Sequence, residues 1–132
     1  MLKMLIATVF FAHGVGHILF LAPALRLATW ADQTGHSWAI TPLFGDGLTR
    51  LLGGLIWGSA TVLFIGAAAG LVAGGDWWRV AAVAGAVIST VGILVMWDGI
   101  ATSNAVMALI VDLLVLAALV LAHWPSVEAV GS

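Results

Sequence analysis

The chain has 132 residues, 63% of them hydrophobic and 8% charged, with a net charge of −2 and a mean hydropathy of +1.18. Soluble domains carry about a quarter charged residues, so an ordinary soluble domain and a disordered segment are both excluded. Four Lys and Arg against six Asp and Glu leave no basic face for a nucleic acid, and the lack of cysteine removes disulfides, thiolate metal sites and thiol nucleophiles.

The charges mark out apolar runs of 22 residues between Lys3 and Arg26, 25 between Arg50 and Asp76, and 18 between Arg79 and Asp98. About 20 apolar residues cross a bilayer core as a helix. Helix one is therefore placed at about 3–24, where Pro23 marks its end. A cleaved leader is the rival reading of this segment, since Ala22-Pro23-Ala24 faintly resembles a cleavage site, but the apolar stretch is long for one. A loop from about 25 to 46 follows, closing on Gly45-Asp46-Gly47, with Asp46 as candidate cap for helix two at about 47–73. Gly74-Gly75 leads into helix three at about 76–98, and helix four is placed at about 104–123, ended by Pro125. Trp30, Trp77, Trp78, Trp97 and Trp124 fall near these ends, where the wet–dry boundary favours tryptophan. The expectation is a single all-α domain: an integral membrane four-helix bundle of up-down topology with one longer first loop and both termini on one side.

Small residues at helical spacing supply contact surfaces, since lipid does not drive helices together. These are Gly54 and Gly58, then Gly66, Gly70 and Gly74 on helix two, and Ala82, Gly85 and Ala86 on helix three.

Ionisable groups inside a membrane are costly and mark candidate sites. At a rise of about 1.5 Å per residue, His13 and Asp112 fall near the midplane. His17, Arg50, Asp98 and Asn104 fall nearer the long loop. All lie in the half of the membrane facing that loop, which predicts a polar pocket entered from the loop side. His13 and His17 share a helix face, Arg50 and Asp98 frame the mouth, and Trp57, the one tryptophan within a span, lines the cavity. Asp112 sits among Ile110, Val111, Leu113 and Leu114, where a charged carboxylate is costly without a cation near it; His13 is the depth-matched partner. The plain alternative is an interhelical hydrogen bond for His13, His17 and Asp112, snorkelling to the interface for Arg50, and lipid-facing packing for Trp57.

The pocket predicts an amphipathic ligand, a quinone or a lipid, whose head group meets His13, His17 and Asp112. An enzymatic version adds proton transfer between that head group and Asp112 or a histidine. Other readings are an assembly subunit of a larger membrane complex, joined through the glycine-rich helices, and an oligomeric transporter or metal- or haem-binding protein. HxxxH on a helix can hold zinc, but the glutamate of HExxH is absent and further ligands are needed, so no metal ligands are assigned. No nucleophile elbow, phosphate loop or dinucleotide fingerprint is present.

The arrangement resembles the DoxX-like families of small bacterial four-helix membrane proteins. The resemblance rests on size, four spans, the longer first loop and the Arg50-Leu51-Leu52-Gly53-Gly54 opening of helix two. It implies a bacterial cytoplasmic membrane. Through members linked to thiosulfate oxidation with quinone as acceptor, it also implies a place in a membrane redox system. It carries over no catalytic residue. Orientation is a separate expectation: positive charge barely sets it, with Lys3 and Arg79 on the termini side and Arg26 and Arg50 on the other, and the termini are placed in the cytoplasm.

Overall fold

The computed structural model describes residues 1–30 and 32–131. The chain is an all-α four-helix bundle, with no strand among the described residues. The first span is made of α1 (Leu2–Gly16) and α2 (Ile18–Ala24), the second of α3 (Thr41–Ala73) and the third of α4 (Trp78–Val95). The fourth joins α5 (Thr102–Leu116) to a π-helical turn at Ala117–Leu121. A 3-10 turn, Trp97–Gly99, links α4 to α5, and a short α6 (Val127–Val130) follows the last span.

Each helix is apolar enough and long enough to cross a bilayer. The surface agrees: Leu5, Val62, Val80 and Leu114 are all exposed, as lipid-facing residues are. Four such helices with apolar residues turned outward are the mark of a membrane protein.

The helix ends differ from the expected ones for local reasons. Helix three ends at Val95 rather than near 98, because the chain tightens into the 3-10 turn. The last span begins at Thr102, ahead of the expected 104, and its helix ends at Leu121. The second begins at Thr41, but Gly45 (φ 85°, ψ 171°) interrupts it, so the continuous helix starts beside Asp46 as expected. Asp46 does not cap it. Its carboxylate accepts from Arg50 Nε at 2.8 Å and from Arg26.

The central helix is α3, which packs against α1, α2 and α4; α4 in turn packs against α5. No comparable contact joins α1 to α5, so the first and last spans meet along an open seam. Two apolar clusters fill the interior. On the termini side, Phe10, Phe64, Leu71, Trp78 and Val115 pack together. On the loop side, Phe20, Trp57, Ile93, Met96 and Ala105 do so. Trp78 opens α4, as its expected place near a helix end requires, but its ring is buried in the termini-side cluster, whereas Trp77 is exposed.

Close approach depends on particular glycines. A Cβ on Gly14 would lie 3.1 Å from Phe64 Cβ, and one on Gly85 would lie 3.1 Å from the Phe64 ring. A Cβ on Gly92 would lie 2.9 Å from Trp57. Gly58, expected at a helix contact, has nothing within 4 Å of such a Cβ and faces outward. Gly74 ends α3 in the left-handed conformation (φ 78°).

The long loop is a cap. Ser37 Oγ donates to Val95 O, Trp38 Nε1 donates to Leu94 O, and Thr34 N donates to Gly99 O. Gln33 is buried beneath it. Its amide donates to Leu19 O at 2.6 Å and accepts from Ala101 N at 3.1 Å, tying the first span to the last.

Candidate functional site: a polar layer behind a lateral groove

Between the two apolar clusters lies a thin polar layer built by three spans. The first span contributes His13 and His17, with His17 at the break between α1 and α2. The third contributes Ser89 and the fourth Asp112.

Nε2 of His13 lies 2.8 Å from Oδ1 of Asp112. The depth match read from the sequence is therefore a direct contact across the seam. His17 Nδ1 lies 2.8 Å from the His13 carbonyl oxygen, which can only accept, so Nδ1 carries the proton. Nε2 of the neutral ring is then an acceptor, and it receives the Ser89 hydroxyl proton at 2.7 Å. The two imidazoles meet edge to face, 4.6 Å between centroids. His17 also lies near-parallel to the rings of Phe64 and Trp57. Trp57 is thus buried packing behind the histidine, not part of the groove wall.

Asp112 is wholly buried, and its Oδ2, with Thr90 Oγ1, is a buried side-chain atom that finds no hydrogen-bond partner among the described residues. Ser89 lies beside it but has one proton, already directed to His17. One hydroxyl cannot serve both acceptors.

A groove of about 240 Å³ opens in front of the layer. Its lining comes from the first and last spans alone, including His13, Gly16, His17, Asn104 and Met107. It is the seam between α1 and α5, widened where Gly16 carries no side chain. Met107 and Leu19 on its rims are exposed on the lipid-facing surface. The mouth is therefore lateral. The long loop contributes no residue to the groove's lining, so the entrance differs from the loop-side mouth expected from the sequence.

Arg50 and Asp98 do not pair, and neither lines the lateral groove; Asp98 lines a separate cleft on the loop side with Thr34 and Trp97. Arg50 binds Asp46 and the Pro23 carbonyl oxygen at 3.0 Å, fastening α3 to the end of the first span. Asp98 accepts from Trp38 N at 2.8 Å and binds His36 Nδ1, fastening the loop. Asn104 lies on the groove, at its loop end, with Nδ2 3.5 Å from Gln33 Oε1.

Ser89 and Gln33 lie outside the residues that the sequence marks as candidates. The depth count that pairs His13 with Asp112, applied to Ser89, places a hydroxyl in the same layer. Gln33 carries no such signal, because it lies in a loop.

No family model, curated protein or solved structure matches this chain. Its chemistry therefore has to be read from the site. The site offers hydrogen bonds at the floor of an apolar groove, with His13 the member that reaches its surface. It also offers a cluster of nitrogen and oxygen donors, His13, His17 and Asp112, within 4.8 Å of one another.

Proposed function

We propose that this chain is a small membrane protein that takes an amphipathic molecule, a quinone or a lipid, head group first from the bilayer into the α1–α5 groove. One observation carries the reading: the polar layer of a nearly uncharged bundle backs onto a groove whose rims face lipid. A polar head group gains hydrogen bonds from His13 and Asn104 there, while its tail stays against apolar side chains. The resemblance to DoxX-like proteins supports a quinone and a bacterial cytoplasmic membrane. If the bound head group exchanges protons, the His13–Asp112 pair is the group placed to do so.

The test is mass spectrometry of the protein extracted gently from its native membrane, beside the variant Gly16→Phe. A Cβ at Gly16 meets nothing within 4 Å, so a side chain can start there, and a phenyl ring on it competes for the groove that Gly16 lines. The expected result is a stoichiometric quinone or lipid with the native chain and its loss with Gly16→Phe. A ligand-free native chain recovered only with partner chains overturns this reading in favour of an assembly subunit.

A further inference from the structure

The orphaned oxygen of Asp112 points to more than a hydrogen-bonding floor. A fully buried carboxylate with one oxygen unpaired is costly, and no Lys or Arg approaches it: Arg50 is held by Asp46. A cation placed beside that oxygen would satisfy it.

The histidines are prepared for one. His17 donates Nδ1–H to a backbone carbonyl, which fixes the ring and turns the Nε2 lone pair into the layer. This is the support that metal-binding histidines receive from their surroundings. Only the Ser89 hydroxyl now occupies that lone pair, and a hydroxyl can rotate. Released from His17, its proton can turn to the neighbouring carboxylate of Asp112.

We propose that His13, His17 and Asp112 form a three-ligand site for a divalent transition-metal ion, its remaining coordination positions facing the groove. Their donor atoms lie within 4.8 Å of one another, and those of His13 and Asp112 are already 2.8 Å apart. Donors about 2.0–2.2 Å from one ion stand roughly 3.3 Å from each other, so small side-chain rotations complete the set. Two imidazoles and one carboxylate with open positions suit zinc or ferrous iron, not the all-oxygen shells of calcium or magnesium. One carboxylate against a doubly charged ion leaves a net charge of about +1 within the membrane. That excess selects an anionic or strongly polar oxygen from whatever occupies the groove. The site itself does not depend on an amphiphile being bound.

Cobalt(II) is the probe, titrated into the purified chain in lipid nanodiscs and followed by its visible ligand-field bands and by metal analysis. The expected result is one ion per chain, lost in His17→Gln and in Asp112→Asn and kept in Ser89→Ala and in a His36→Gln/His123→Gln double variant. Absence of saturable binding to the native chain overturns the proposal whatever the variants do. So does binding that survives Asp112→Asn and disappears with the His36 and His123 substitutions. Circular dichroism and monodisperse elution select folded variants. If neither layer variant folds, the native chain decides: bands of nitrogen-and-oxygen coordination support the site, and bands of a hydrated ion overturn it.

Discussion

His13 and Asp112 stand 99 positions apart in sequence, yet their side chains meet at 2.8 Å across the seam between the first and last spans. This bond spans the seam that α1 and α5 leave largely unpacked. Asp112→Leu is expected to leave the imidazole unpaired and loosen the seam, at a cost of about 1–2 kcal/mol. Asp112→Asn keeps a partner for Nε2 and is expected to lose less. Unfolding in mixed micelles with a denaturing detergent measures both. Equal stability of the native chain and Asp112→Leu would show that the pair holds nothing together.

The hydrogen bonds of His17 specify its tautomer. With Nδ1 donating to the His13 carbonyl and Nε2 accepting from Ser89, the neutral ring is protonated at Nδ1. Nitrogen-15 NMR of histidine-labelled protein, prepared without metal, should show that tautomer for His17. In Ser89→Ala the Nε2 resonance should move while the tautomer stays. A ring protonated at Nε2 contradicts the assigned bonds. The lost hydrogen bond is expected to cost about 1 kcal/mol.

Two glycines of the same apolar bundle should respond in opposite ways to one added methyl. At Gly92 a Cβ would lie 2.5 Å from Ile56 Cγ2 and 2.9 Å from Trp57, so Gly92→Ala forces α3 and α4 apart at about 1–3 kcal/mol. At Gly58 it meets nothing, and Gly58→Ala should be neutral or mildly stabilising. Thermal unfolding of the two variants side by side distinguishes them, and the reverse ranking would count against the α3–α4 contact.

Gln33 holds the loop cap to both sides of the seam at its loop end. Gln33→Ala removes the bonds to Leu19 O and Ala101 N and should cost about 1–3 kcal/mol. Its local signature is faster amide hydrogen exchange at Ala101 and around the 3-10 turn, with the centre of α3 unchanged. Uniformly faster exchange along the chain would mean that the cap is not a separate unit.

Asp98 should behave as an exposed staple rather than as part of the site. Asp98→Asn weakens its contact with His36 and should change stability by about 1 kcal/mol or less. Ligand and metal content should stay as in the native chain. Loss of either would return Asp98 to the role at the groove mouth expected from its sequence position.

The sequence alone was enough for the four spans, because crossing hydrocarbon demands long apolar runs and makes charges so costly that they mark the ends. Depth was legible for the same reason: a constant helical rise turns spacing into height, which brought His13 level with Asp112. Direction was not legible. Lipid is as apolar as a protein core, so an apolar helix does not advertise which face is buried, and only shape decides that Gly92 meets Trp57 while Gly58 faces outward. The same gap assigned Arg50 and Asp98 to a pocket mouth. In the folded chain each is taken by a nearer partner, Asp46 for one and the loop residues His36 and Trp38 for the other. Ser89 joined the layer, and the long loop became a cap, through contacts between segments far apart in the chain. Such contacts follow from how side chains fit one another in three dimensions, which hydropathy does not encode.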